Sequence, residues 1–226
     1  MQQGLSYILW VHTFFGALSL VTGAIALLSA KGKRWHRQAG KVYSLAMTLV
    51  FITGIMLASA SFNRFLFLIA FLSYYSVFSG VRILQLKQLH KGQQPRWYDW
   101  AAGIINGIAN LSFVGLGLYY WSLYGVLHEG TMLSIGFGLG GLALSYVNLK
   151  PFIKKPVAAY HWYLSHMGNM MGGYIAVLTA FLSTTASRYG WMDPLLSFTL
   201  PSLFGVPLLI YWQIATEKKM IRSRHR

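Results

Sequence analysis

The sequence contains no cysteine and very few acidic residues. Its 226 residues include no Cys and only four Asp and Glu together. The absence of cysteine excludes disulfide bonds, thiolate metal sites and cysteine-bound iron–sulfur clusters. The shortage of carboxylates leaves little material for paired acid–base catalysis. The sequence also has no Walker loop, no Gly-x-Ser-x-Gly elbow and no His-Glu-x-x-His motif, so the usual signatures of nucleotide binding, acyl hydrolysis and zinc proteolysis are missing.

Long apolar runs dominate what is present. Hydrophobic residues make up 55% of the chain and charged residues only 10%, against about 25% charged in soluble domains. A bilayer-spanning helix needs about 20 apolar residues, and seven runs are long enough. They cover approximately 5–28, 39–60, 65–86, 100–121, 131–149, 157–180 and 197–215. Because a membrane span must satisfy its backbone polar groups internally, we expect an all-α, polytopic transmembrane bundle of seven spans that forms one domain over residues 1–226.

The basic residues are distributed unevenly between the two ends of these spans. Seventeen of the 19 Lys and Arg residues lie in the first, third and fifth connections and in the C-terminal tail, whereas the other connections hold only Arg64 and Arg188. Cytoplasmic loops are enriched in Lys and Arg, so the pattern predicts an external N-terminus and a cytoplasmic C-terminus. The net charge of +15 therefore indicates contact with anionic lipid headgroups at the cytoplasmic face rather than binding of nucleic acid. Assembly with a second copy or another subunit is left open.

Histidines inside the spans are the main candidates for function. His12, His161 and His166 fall within predicted spans, where polar side chains are rare and usually functional. Counted from the predicted span ends, His12 and His166 both lie near the midplane of the bilayer. We therefore predict that they face one cavity and hold a cofactor, with haem b as the best candidate, because haem iron accepts two axial imidazoles. Gly16 and Gly173 leave space on the same helix faces. The alternative is that each histidine bonds a neighbouring helix and binds nothing.

A metal site at the cytoplasmic boundary is a second hypothesis. His36 lies at the mouth of the second span and His161 at the start of the sixth, so the two are expected to share one depth. With Asp99 they supply three ligands of the kind that catalytic zinc takes, which would suit a metal-dependent membrane hydrolase. Asp99 equally suits an N-terminal cap of the fourth span.

A third hypothesis is a non-enzymatic transporter or an accessory membrane subunit. Its support is a set of amides inside the spans, which are expensive in lipid and often line a path for a solute. These residues are Asn106, Asn110 and Asn169.

The first two spans carry a pattern that resembles a known family. It consists of a histidine early in the first span followed by Gly-Ala-Leu, then a basic loop with His-Arg, then Gly-x-x-Tyr and Met. The positions are His12, residues 16–18, His36-Arg37, Gly40, Tyr43 and Met47. The chain is similar in this to the DUF2306-type bacterial predicted membrane proteins, whose function is unknown. The run from His166 to Phe181 also resembles them, whereas their His-Arg-Arg-Trp-Met element is missing here. The resemblance implies a multi-pass protein of the bacterial cytoplasmic (inner) membrane and draws attention to His12, His36 and His166.

The charge distribution makes a direct prediction about topology. A reporter fused after Arg226 should be active in the cytoplasm, and one inserted near Glu129 should be active outside, because the basic connections stay on the cytoplasmic side. Paired cytoplasmic and external reporter enzymes measure this. External activity of the C-terminal fusion would contradict the seven-span arrangement.

Overall fold

The structure of the chain is a computed structural model, and all the regular secondary structure that it describes is helical. It describes the backbone of residues 2–224 and the side chains of 4–222 except those at 65, 187, 188 and 194. Positions 1, 225 and 226 lie outside the described residues. The single-domain prediction covers all three positions, and the basic tail covers 225 and 226. Seven long helices are present within 2–224: α1 (Gln2–Leu28), α2 (Arg34–Ala60), α3 (Arg64–Arg82), α4 (Trp97–Tyr124), α5 (Glu129–Ile153), α6 (His161–Tyr189) and α7 (Pro194–Arg224).

The helices agree with the predicted apolar runs in number and order, and differ from them at their ends. The clearest difference is α6, which begins at His161 rather than at 157. Pro156 lies in the connection, and a proline disfavours the helical region for the residue before it, which is Lys155. Lys154, the residue that follows α5, is also extended, with φ −117° and ψ 112°. At its other end α6 runs nine residues past the predicted span, to Tyr189, and Gly190 follows with φ +64°, as glycines after helix ends commonly do.

Among the described residues, six helical segments are long and apolar enough to cross a membrane. They lie in α1, α2, α3, α4, α5 and α7. The first three turns of α6 carry two histidines, a serine and an asparagine. The length and apolar character of six helices mark the chain as a multi-pass membrane protein.

The distribution of side chains is inverted relative to a soluble bundle. Large apolar side chains lie on the outside, such as Leu28, which is 89% exposed, and Trp10, which is 74% exposed. Small and polar side chains fill the interior, including Asn110 and Ser134, both with no exposed surface. This arrangement suits a lipid surround, since apolar side chains gain nothing by leaving lipid and helices there associate through small and polar residues.

α6 lies among the other helices. It packs against α3 and α7 along much of its length and against α1 more locally. Side-chain contacts join it to two further helices: the ring of His166 lies against that of His36 on α2, and Asn169 bonds Asn148 on α5. Polar residues near the start of α6 therefore face neighbouring helices.

Close packing of α4 against α5 depends on glycines that have no room for a side chain. A Cβ placed on Gly138 would lie 2.9 Å from the backbone oxygen of Asn110 and 2.9 Å from the backbone nitrogen of Val114. On the same helix, a Cβ on Gly136 or Gly140 would meet nothing within 4 Å. Only one face of the Gly-rich stretch is thus required for packing.

Replacing Gly138 should separate α4 from α5. We expect Gly138→Ala to lower stability by roughly 1–3 kcal/mol, since the new methyl group meets backbone that cannot turn away. In a chain of this size that corresponds to a fall of roughly 3–10 °C in the thermal unfolding midpoint. Gly140→Ala is the matched control and should leave the midpoint unchanged or higher, because alanine favours helix over glycine. Equal midpoints for the two variants in one detergent would contradict the packing role.

Candidate functional site

Two histidines from different helices meet at the end of the bundle where α2 and α6 begin. The rings of His36 and His166 have centroids 6.2 Å apart and are nearly perpendicular, at 79°. His36 lies in the first turn of α2 and His166 in the second turn of α6. The sequence identified both residues but assigned them to different sites.

Both imidazoles are held through the same ring nitrogen. Nδ1 of His36 donates to the carbonyl of Ala26 at 2.9 Å, and Nδ1 of His166 donates to the carbonyl of Gly80 at 2.7 Å. A carbonyl oxygen only accepts, so each Nδ1 carries the hydrogen and each neutral ring keeps a lone pair on Nε2. Ala26 and Gly80 lie in the last turns of α1 and α3, where carbonyls lack helical partners. The contacts therefore cap two helices and also fix two nitrogen ligands, an orientation typical of metal-binding histidine.

Open space lies beside this pair. Gly40 is one turn beyond His36 on α2, and a Cβ built on it would meet nothing within 4 Å. Beyond it, Tyr43 is buried, and its hydroxyl has no hydrogen-bond partner among the described residues. The position of Gly40 is thus unfilled one turn from His36, and Tyr43 is the next residue on that face of α2.

His12 belongs to a different place in the bundle. Its Nδ1 lies 2.9 Å from the hydroxyl of Thr53, and its ring lies against Gly54. The imidazole is thus bonded to α2, as in the alternative that a span histidine bonds its neighbour.

The structure does not bring His12 and His166 together. The Tyr174 hydroxyl donates to the carbonyl of Leu20 at 3.2 Å, which sets the register between α6 and the antiparallel α1. His12 lies eight residues from Leu20 toward one end, and His166 lies eight residues from Tyr174 toward the other. At 1.5 Å per residue each is about 12 Å from that level, so the two are separated by roughly 24 Å along the bundle. One haem iron cannot bind both, and the depths counted from predicted span ends were misleading.

The proposed zinc ligands are also held separately. His161 donates from Nδ1 to the carbonyl of Ala158 at 3.2 Å, and its ring lies 6.1 Å from that of His90 rather than beside His36. Asp99 is bonded to Arg82. Within the described part of the chain, no group of three His, Asp or Glu side chains is placed to hold a metal ion.

Asp99 forms a buried ion pair between α3 and α4. Its carboxylate accepts from Nε of Arg82 at 2.6 Å and from Nη2 at 3.0 Å. It also accepts from the backbone nitrogen of Arg96 at 2.7 Å, so the predicted cap of the fourth span is confirmed. The side chain of Asp99 is 1% exposed and that of Arg82 is 12% exposed. The carboxylate thus fixes the start of α4 against the end of α3.

The buried amides bond to one another and to the backbone. The two side chains of Asn148 and Asn169 exchange hydrogen bonds of 3.0 and 2.8 Å, which join α5 to α6. Asn106 donates to the hydroxyl of Ser145 at 2.8 Å, and Asn110 donates to Asn106. Asn106, Asn148 and Asn169 thus link neighbouring helices, whereas Asn110 bonds within α4.

Sequence reasoning missed Arg82, His90 and Asn148 as members of buried polar contacts. All three were counted with the loops or left unassigned. Arg82 carried a usable signal, because it lies near the end of the predicted span 65–86 and Asp99 directly precedes the predicted span 100–121. A short connection therefore brings opposite charges to the same end of the bundle.

Comparison of the chain with protein-family models, with curated proteins and with solved structures finds no match.

Breaking the buried ion pair should be costly. We expect Asp99→Ala to lower stability by roughly 3–5 kcal/mol, because Arg82 is then left without its partner away from water. The double variant Arg82→Met, Asp99→Leu should recover much of that loss, since no charge is stranded. Thermal and denaturant unfolding in detergent measure both.

Glu129→Gln supplies the control, because Glu129 is an exposed acidic residue at the start of α5. Its removal should change stability by no more than about 0.5 kcal/mol. A loss for Asp99→Ala no greater than that of the control would show that the ion pair is unimportant.

Proposed function

We propose that the chain is a redox-active membrane protein that holds haem b through His36 and His166. The observation that carries the proposal is the pair of imidazoles 6.2 Å apart, each with Nδ1 bonded to a carbonyl. At a metal–nitrogen distance of about 2.1 Å, two imidazoles on opposite sides of one ion have ring centroids about 6.4 Å apart. The observed separation is close to this value.

The residues around the pair suit a haem better than a bare metal ion. Two histidines complete the axial positions of a haem iron, whereas a protein zinc site takes three or four ligands. Gly40, one turn from His36, leaves its position unfilled and would not obstruct a bulky group held by His36. When bound, haem supplies one-electron chemistry. The protein's part is to present both Nε2 atoms and to strengthen them as donors through the Nδ1 contacts.

We also propose that the chain belongs to the DUF2306-type family, on the resemblance in its first two spans. Three residues of that motif, His36, Gly40 and Tyr43, follow one another along one face of α2 and face α6: His36 contacts His166, and the Tyr43 ring lies 6.3 Å from that of Tyr174. The first histidine of the motif, His12, lies elsewhere in the bundle and bonds Thr53.

We also propose the number of membrane spans and the sides on which the two termini lie. We take α6 as the seventh span, with the N-terminus outside and the C-terminus in the cytoplasm of a bacterial cell. Its support is the uneven distribution of Lys and Arg and the packing of α6 among apolar helices. The histidine pair then lies at the cytoplasmic boundary of the bilayer.

Spectroscopy and ligand variants test the haem. The purified protein should show a Soret band and contain about one haem b per chain, measured as the pyridine haemochrome. Loss of second-shell partners already weakens metal sites by about tenfold, so His36→Ala and His166→Ala should lower haem content by at least that factor. His166→Met should retain haem with a raised reduction potential, because methionine in place of one histidine raises it.

His12→Ala is the matched control, since it removes a span histidine of similar burial about 24 Å away along the bundle. It should keep its haem. Size-exclusion chromatography and circular dichroism check that each variant is folded. Wild-type protein without haem, or loss of haem only in the His12 variant, would overturn the proposal.

A further inference from the structure

A groove between α2, α3 and the start of α4 lies apart from the histidine pair. Its volume is about 420 Å³, within the range of small-molecule sites. The walls combine apolar side chains, including Leu45 and Phe78, with polar ones that include Thr48 and Tyr98. Leu45 is 64% exposed, so the groove opens on the side of the bundle that faces lipid.

The polar end of the groove is also the basic end of the bundle. Arg82 lines it and makes three recorded side-chain hydrogen bonds, two to Asp99 and one to Gln85. A guanidinium has five N–H groups, so two are not used by these contacts. The guanidinium also lies over the ring of Tyr98, with its carbon 5.0 Å from the ring centroid.

Two further basic residues extend the groove face of α2. The Thr48 hydroxyl lies 3.3 Å from that of Tyr74, and this contact sets the register of α2 against α3. Lys41 is seven residues before Thr48 and therefore lies on the same helix face, opposite Val81. Arg37 is one turn further out, at the level of Gln85. Both are exposed.

The charge at this end is unbalanced. The acidic residue at the groove, Asp99, is already paired with Arg82. Among the described residues that pair is the one salt bridge, so the positive charges of Arg37 and Lys41 have no carboxylate partner. Arg37 and Lys41 thus place unpaired positive charge at one end of the groove, whose apolar side opens toward lipid.

We propose that this groove binds one anionic glycerophospholipid from the leaflet at the basic end of the bundle. The phosphate lies against Arg37 and Lys41, within reach of the free N–H groups of Arg82, and one acyl chain lies along Leu45 and Phe78. Basic pockets between helices at the membrane boundary recognise anionic headgroups in this way. The proposal is independent of haem binding, because the groove lining contains no histidine.

Native mass spectrometry of the detergent-solubilised full chain tests it. We use dioleoyl phosphatidylglycerol and dioleoyl phosphatidylcholine, which share acyl chains and differ in net charge. Phosphatidylglycerol should bind as a single tight adduct, at least about tenfold tighter than phosphatidylcholine. The variant Arg37→Gln, Lys41→Gln should weaken it by about tenfold or more, since each basic residue near a membrane strengthens binding of anionic lipid several-fold.

Two matched controls separate the groove from general effects. Lys218→Gln, Lys219→Gln removes the same charge from α7, which contributes nothing to the lining, and should leave binding unchanged. Leu45→Trp should fill the groove and abolish the tight adduct. Leu111, on α4, is 62% exposed, and Leu111→Trp should leave the tight adduct unchanged.

Three results would overturn the proposal. Equal binding of the two lipids would show that the lipid charge plays no part. Unchanged binding to the Leu45→Trp variant would show that the lipid does not occupy the groove. Displacement of phosphatidylglycerol by millimolar inorganic phosphate would show a site for a free anion instead of a lipid.

Discussion

The packing of α6 by polar contacts is the constraint on which the rest of the structure depends. Hydrophobic attraction does not bring helices together in lipid, so association relies on close packing and on hydrogen bonds. The contacts of α6 supply both: the Tyr174 hydroxyl bonds α1, His166 bonds the end of α3, and Asn169 bonds α5. The order of these contacts along α6 fixes how far each neighbouring helix is shifted along the bundle. The histidine pair exists because that shift places the first turn of α2 beside the second turn of α6.

Much of the fold was predictable from the sequence because lipid imposes a simple rule on it. A span needs a long apolar run, and the connections collect the charges, so seven helices in order follow from where the charges lie. The helix ends were less predictable, because they depend on local chemistry. Residues 154–160 form an irregular connection before α6, and the capping contact of Asp99 fixes the start of α4. The polar character of α6 was visible in the sequence as well, yet its consequence for packing was not.

The histidines of the candidate site could be selected from the sequence, but which of them lie together could not. Histidine is rare in apolar spans, so His12, His36, His161 and His166 could be selected without a structure. Which of them meet depends on the register between helices that are far apart in the chain. Side chains such as Tyr174 set that register, and helical periodicity carries no information about it. Errors in the predicted span ends, together with the unknown shift between α1 and α6, gave His12 and His166 similar depths. The Tyr174 contact instead places them roughly 24 Å apart along the bundle.

The polar faces of α6 have a consequence for the order of events during synthesis. An apolar helix partitions into the bilayer alone, whereas a helix with histidines and asparagines in its first turns enters more favourably when partners are already there to receive them. For α6 the receiving groups, the carbonyls of Leu20 and Gly80 and the amide of Asn148, all belong to helices made earlier in the chain. The groups that pair these polar side chains are therefore synthesised before α6, whereas α7, which also packs along much of α6, is synthesised after it. In chain order, the hydrogen-bonding partners of α6 come first and its packing partner α7 comes last.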